Sequence, residues 1–71
     1  MFYVRTKEYH FLCTTIHKYG NRQWDVGVTG QNWSGDGRNA YKFIHLEDAQ
    51  KAAKKYNGIV CYSNGNEVKN D

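Results

Sequence analysis

The sequence contains no proline, and its only two cysteines are Cys13 and Cys61. No apolar run approaches the roughly 20 residues of a membrane span, and residues 1–7 lack the apolar stretch of a signal peptide. We therefore expect a cytoplasmic protein that has no contact with a membrane. Because the cytosol keeps thiols reduced, we expect both cysteines, which lie in apolar runs, to be buried and unpaired.

Residue types that enzymes use are present, but not in a usable arrangement. The spacing of His10, Cys13 and His17 does not match a strong metal-binding motif. On a strand, His10 points to the face opposite Cys13 and His17, so the three side chains cannot bind one metal ion. Neither cysteine has a histidine and an orienting carboxylate at a recognisable spacing. The acidic pair Glu47 and Asp48 is explained by the start of a helix. We expect no catalytic residues, no metal ligands, no cofactor and no enzymatic activity.

Length, aromatic content and charge favour a small binding module. A chain of 71 residues forms one domain, spanning residues 1–71, with a thin core. Its 39% of hydrophobic and 15% of aromatic residues are too many for a disordered chain, so it should fold. The net charge of +3 permits an anionic partner, although no polybasic tract is present.

Turn residues and alternating apolar side chains predict three strands in the first half of the chain. Residues 2–7 and 9–17 are rich in β-forming side chains, and a turn at residues 19–22 leads into a third strand at 23–28. Alternation places three side chains of this third strand on its buried face, namely Trp24, Val26 and Val28.

A helix is the clearest element of the second half. Glu47 and Asp48 fit its first turn and Lys54 and Lys55 its last, and Gly58 offers the left-handed conformation that ends it. One narrow face of the helix consists of three alanines and a tyrosine spaced i, i+3, i+4 and i+7, and it should lie against the sheet. Its residues are Ala49, Ala52, Ala53 and Tyr56.

The remaining segments complete the predicted order of elements. A glycine-rich loop spans residues 29–39, residues 40–44 form a short strand or an extended lead into the helix, and residues 59–62 form the last strand, before a turn and a polar tail. The order β-β-β-(β)-α-β predicts an α+β fold, in which one helix packs on one face of an antiparallel meander of three to four strands.

Aromatic side chains exceed what one small core needs. Six of them are expected to fill it: Phe2, Tyr9, Phe11, Trp24, Phe43 and Tyr56. Trp33, in the glycine-rich loop, either folds back onto the core or stands out as a contact anchor, with Arg38 beside it for an acidic partner or a phosphate. Tyr3, Arg5 and Lys7 share the face opposite Phe2 and Val4, a plausible surface for stacked bases or an acidic protein patch.

Residues 39–68 resemble the second half of an RNA recognition motif. Residues 39–46, Asn-Ala-Tyr-Lys-Phe-Ile-His-Leu, lie over one conserved strand of that family, and residues 47–58 lie over its second helix and its Asn-Gly exit. The resemblance implies that Tyr41 and Phe43 stack on bases. Alternation also fits the opposite orientation, in which both rings point inward and Lys42 points into water.

The whole chain is similar to short single-domain proteins of bacteriophages and other mobile elements. The matching features are Tyr3-Val4, Trp24, residues 40–43, the helix at 47–54 and residues 58–60. The resemblance implies a non-catalytic protein that binds and modulates a host protein or ribonucleoprotein, such as a defence nuclease.

Direct binding of RNA or DNA is the alternative function, and it uses a basic, aromatic face of the sheet or of the helix. On the helix, this face carries Lys51, Lys54 and Lys55. In either case the protein is a monomer or a homodimer that pairs an exposed strand, residues 2–7 or 59–62.

Overall fold

The computed structural model describes residues 1–69, which form two unequal parts. A 3-10 turn at Gly37–Asn39 and the helix α1 (Leu46–Tyr56) lie between the fifth and sixth strands. The strands are β1 (Tyr3–Arg5), β2 (Phe11–Leu12), β3 (Ile16–Tyr19), β4 (Arg22–Asp25), β5 (Trp33–Ser34) and β6 (Ile59–Cys61).

The larger part, here called the body, is a four-stranded antiparallel sheet with α1 on one face. The strand order is β5-β2-β1-β6, so the first strand lies in the middle. Val4 pairs with Val60 and Leu12 with Trp33, and these four side chains face the helix. Ala49 and Ala53 of α1 pack against them, as the small face of the helix predicted. The predicted α+β class is confirmed, with one helix on an antiparallel sheet.

The helix has the charges that the sequence predicted, but its end is built differently. Glu47 and Asp48 lie in the first turn, and Lys54 and Lys55 lie in the last. The left-handed residue is Asn57, with φ 60° and ψ 43°, not Gly58. Gly58 is required for another reason, because a Cβ at this position would collide with a methyl group of Val4.

The smaller part, here called the arm, is the hairpin of residues 16–25. Strands β3 and β4 pair only with each other, and all eight of their residues are exposed. The prediction that Trp24 and Val26 lie on a buried face is therefore wrong, since within residues 1–69 no second layer covers this hairpin. Val28, just beyond the arm, does pack against the core. The molecule is elongated, 47 Å along its longest axis and about 20 Å along the other two.

Hydrogen bonds continue the pairing of the hairpin beyond the arm and join its base to the body. Backbone bonds join Thr15 to Val26 and Gly27, at 2.9 and 2.8 Å. The hydroxyls of Thr15 and Thr29 lie 2.7 Å apart. The Tyr56 hydroxyl at the end of α1 donates to the carbonyl of Val28 (3.3 Å). The arm is exposed but attached at several points to the core of the body.

The second face of the sheet is also covered, by the segment that follows β6. The guanidinium Nε of Arg5 donates to the carbonyl of Gly65 at 2.8 Å, and the Tyr9 ring lies against the same guanidinium. Val68 returns along β6, its N–H donating to the carbonyl of Val60 at 2.9 Å. The predicted polar tail is thus, up to residue 69, a strand-like return that closes this edge of the sheet.

This arrangement corrects two further predictions. Residues 2–7 and 59–62 are not free strands for a homodimer, because β1 is central and β6 is paired on both sides. The expected aromatic core is smaller than predicted, because Tyr9 and Trp24 are 54% and 47% exposed. Phe43 is buried, and Phe2 and Tyr56 pack at the margin of the core.

Candidate binding surface

The pairing register of the arm divides its side chains between two faces. His17 lies opposite Trp24, and Tyr19 lies opposite Arg22, so these four side chains share one face. We call it the ring face. Ile16, Lys18, Gln23 and Asp25 share the other face. Every side chain of the ring face ends in a planar group, two of them aromatic rings, one imidazole and one guanidinium.

The ring face is open to solvent along its length. Tyr19 is 79% exposed and Trp24 47%. The His17 ring stands edge-on to the Trp24 ring, with the centroids 6.0 Å apart, which helps to fix the orientation of the indole. Among the side chains that the structure describes, none covers these rings enough to bury them.

A tight turn determines how the arm ends. The loop between Tyr19 and Arg22 contains two residues, and Gly20 adopts φ 60° at its first position. Positive φ there and a negative value at the second position match a type II′ turn, whose twist suits a two-stranded hairpin. The turn therefore presents Tyr19 and Arg22 side by side at the tip.

Charge is distributed unevenly over the arm. Arg22 is the permanent cation of the ring face, which carries no carboxylate. Asp25 lies on the other face, where its carboxylate accepts a hydrogen bond of 2.7 Å from the N–H of Gly27. The ring face is thus cationic and aromatic, the combination that attracts an anionic or π-rich partner.

Trp33 is folded onto the body. Its indole N–H donates to the carbonyl of Gly30 (2.8 Å), and its ring packs against the core beside Gly58. The sequence left open whether Trp33 folds back onto the core or projects as a contact anchor. In the structure it folds back onto the core. A variant at Trp33 would disturb the packing of the body as well as any contact with a partner.

Arg38, the other loop residue predicted for partner binding, is exposed and already paired. Its guanidinium lies 2.8 Å from the carboxylate of Asp36, and these hydrogen bonds hold the pKa of Asp36 below its usual range. The same contacts raise the pKa of Arg38. A partner's acidic group would have to compete with Asp36.

The predicted sheet surface of Tyr3, Arg5 and Lys7 does not exist as a stripe. Arg5 is 7% exposed, with its guanidinium held by two carbonyls and the Tyr9 ring. Tyr3 is half-buried, and Lys7 lies in the turn after β1, outside the strand. The sequence placed the cation correctly on the face opposite Val4, but this face is covered.

The residues predicted for nucleic-acid binding are not brought together as expected. Phe43 is 8% exposed and packs in the core, so its ring is unavailable to a base, whereas Tyr41 and Lys42 are exposed. The orientation with Lys42 in water is therefore the one observed. The helix lysines are solvent-exposed: Lys51, Lys54 and Lys55.

Neither cysteine has the surroundings of a nucleophile. Cys13 and Cys61 are buried free thiols, and burial raises the pKa of each. In residues 1–69 no three His, Cys, Asp or Glu side chains converge in a way that could hold a metal ion. The one helix of this region is too short and too polar to cross a membrane.

Sequence reasoning missed the ring face because it assigned Trp24 to the core. One signal could have revealed it, since His17, Lys18, Arg22 and Gln23 make the hairpin too polar on both faces for a covered strand. Comparison with known proteins supplies no further guide, because no family model, curated protein or solved structure matches the chain.

Proposed function

We propose that this protein is a small non-catalytic binding module and that the arm is the part that contacts its partner. The ring face carries the proposal, because the fold gains little from Tyr19 or Trp24 in their exposed positions. Trp, Tyr and Arg are the residues most enriched among interface hot spots, and here all three share one small face.

The attachment of the arm supports the same role. A contact surface binds more tightly when it is held in place before the partner arrives, because less conformational freedom is lost on binding. The bonds at Thr15 and the anchoring of Val28 by Tyr56 supply this support.

The partner that we propose from the sequence is a host protein or ribonucleoprotein, with a mobile element as the source of the chain. This part of the proposal rests on the resemblance described above. We propose the arm instead of Trp33 as the contact with this partner, because Trp33 packs on the body.

Affinity chromatography from a bacterial lysate tests the proposal. Three immobilised proteins are compared: the parent, an arm variant with Tyr19→Ser and Trp24→Ser, and a control with Gln23→Ser on the opposite face of β4. We expect the parent and the control to retain the same components and the arm variant to lose them. Equal retention by all three proteins would contradict the proposal. Loss of the components only from a fourth protein, with Lys51, Lys54 and Lys55 changed to Gln, would contradict it too.

A further inference from the structure

We infer that the ring face of the arm binds single-stranded nucleic acid, with bases stacked on Tyr19 and Trp24 and a phosphate bound by Arg22. This inference rests on the proposed function, because it names the partner of the same surface. The nucleic acid is a single strand, either free or exposed within a ribonucleoprotein.

The chemistry of the ring face is the first argument. Unpaired bases stack on Phe, Tyr, Trp and His rings and on the plane of Arg, and His17, Tyr19, Arg22 and Trp24 all belong to these types. Stacking of this kind tolerates any sequence, because every base has a π-face. A surface made entirely of planar groups is well suited to such a ligand.

The free guanidinium of Arg22 is the second argument. The chain has three arginines. Arg5 is buried against carbonyls, and Arg38 is paired with Asp36. Within residues 1–69, the Arg22 side chain has no hydrogen-bond or ion-pair partner. It is therefore available to a phosphate, and no carboxylate shares its face to repel that phosphate.

Spacing along the arm favours a single strand over a duplex. The His17–Trp24 and Tyr19–Arg22 pairs are two residues apart, which is about 6.8 Å along a strand. Stacked bases in a duplex are about 3.4 Å apart. Neighbouring bases must therefore separate before each can stack on a different one of these two side-chain pairs. A single strand separates its bases at low cost, whereas a duplex must break its stacking.

The size of the surface also bears on the choice of partner. A stable protein interface usually involves about 20–30 residues on each side, and the ring face offers four. Protein modules that bind single strands hold a few nucleotides each on a small number of rings. A protein partner is the alternative outcome of the test.

Fluorescence anisotropy of labelled oligo(dT) and oligo(U), each about twelve nucleotides long, measures the binding. We expect single strands to bind and a duplex of the same length to bind at least about tenfold more weakly. If Arg22 neutralises one phosphate, raising the salt from about 50 to about 200 mM should weaken single-strand binding about 2.6-fold.

Variants assign the binding to the ring face. Trp24→Ala or Tyr19→Ala should weaken it at least about fivefold, and Trp24→Phe, which keeps a ring, should weaken it less. Arg22→Lys keeps the charge but loses the plane, and it should bind more weakly than the parent and more tightly than Arg22→Gln. The control Gln23→Ala should bind like the parent.

Tryptophan fluorescence gives an independent readout. Stacking of a base should quench the fluorescence of the exposed Trp24 and leave the fluorescence of the packed Trp33 unchanged. Trp24→Phe should therefore abolish the quenching. Absence of oligonucleotide binding at about 100 µM protein would overturn the inference. If the arm variant still lost its lysate components after nuclease treatment, the partner would be a protein, and the proposed function would stand without the inference.

Oligonucleotide binding that survives Trp24→Ala and Tyr19→Ala would also overturn the inference. If that binding were lost when Lys51, Lys54 and Lys55 are changed to Gln, the helix would be the nucleic-acid surface. The proposed role of the arm would then fail unless the lysate experiment supported it.

Discussion

The body and the arm have similar local chemistry but opposite relations to solvent. Both contain antiparallel strands that carry aromatic side chains and an arginine. In the body, the helix covers one face of the sheet and the return after β6 covers the other. In the arm, no part of the chain that the structure describes covers either face. If the arm binds the partner, as proposed, folding and binding depend on different residues, and changes in one part should leave the other unaffected.

The arginines illustrate the difference. Arg5 is buried and contributes to the fold through the carbonyl of Gly65 and the Tyr9 ring. Arg22 projects into solvent with no side-chain partner in the described part of the chain. The same residue type thus serves the fold in one region and remains available for binding in the other. The first three predictions below each compare a change in the body with one in the arm or on the surface.

Ala49→Glu should have the largest effect. Ala49 is fully buried against the sheet, and a glutamate there would place an unpaired charge in a tight contact. Since small domains are only marginally stable, we expect loss of the cooperative thermal transition in circular dichroism. Lys51→Glu, on the exposed side of the same helix, is the control and should melt like the parent.

Arg5→Met should reduce the free energy of unfolding by about 2–3 kcal/mol, because charge-assisted hydrogen bonds that hold the return after β6 are lost. Arg22→Met in the arm should change it by less than about 0.5 kcal/mol. Urea denaturation of both variants provides the comparison. Similar values for the two would show that Arg5 does not hold the return.

Substitution of the tryptophan in the body should also reduce stability more than substitution of the tryptophan in the arm. Trp33→Ala removes a ring that packs on the core and should cost about 2 kcal/mol or more, whereas Trp24→Ala should cost much less. Chemical denaturation followed by far-UV circular dichroism measures both. A larger loss of stability for Trp24→Ala would mean that the arm contributes to the core.

Burial of the thiols makes the stability of the body sensitive to alkaline pH. The pKa values of Cys13 and Cys61 are raised in the folded state, so the unfolded chain loses its thiol protons first. Their contribution to stability is present below about pH 8.5 and is lost as the pH rises further. We expect slow alkylation of the native protein by iodoacetamide at pH 8 and rapid alkylation in urea. Cys13→Ser and Cys61→Ser variants would reduce the alkaline effect.

The smallest effect on the fold is expected from the arm variant with Tyr19→Ser and Trp24→Ser. No residue of β3 or β4 is buried, so the free energy of unfolding should change by less than about 0.5 kcal/mol. Differential scanning calorimetry of this variant and the parent checks the value. A clear fall in the melting temperature would link the arm to the cooperative unit of the body.

Local chemistry was sufficient to predict the helix. Its charges at both ends and its small face depend on near neighbours in the sequence, and Ala49 and Ala53 lie on the sheet as expected. The turn at Gly20 was predicted for the same reason. The predicted strands at 2–7, 23–28 and 59–62 each overlap a shorter strand. The predicted strand at 9–17 is instead divided between β2 and β3 in different sheets, the predicted loop at 29–39 contains β5, and residues 40–44 form only isolated bridges.

Alternation alone did not predict the candidate site, because the exposure of a strand face depends on whether a second layer of structure covers it. Alternation shows which residues share a face of a strand, but not whether a second layer covers that face. It therefore placed Trp24 inside and Arg5 outside, and both placements were wrong. The residues that cover Arg5, such as Gly65, lie far from it in the sequence.

The central position of β1 affects the order in which the molecule can fold. Val4 has its sheet partner in Val60, so the body cannot close before almost the whole described chain has been synthesised. The arm pairs residues close in sequence, and isolated hairpins form within microseconds. On the ribosome, a nascent arm can therefore form transiently long before the sheet is complete, and final closure of the body must wait until β6 emerges.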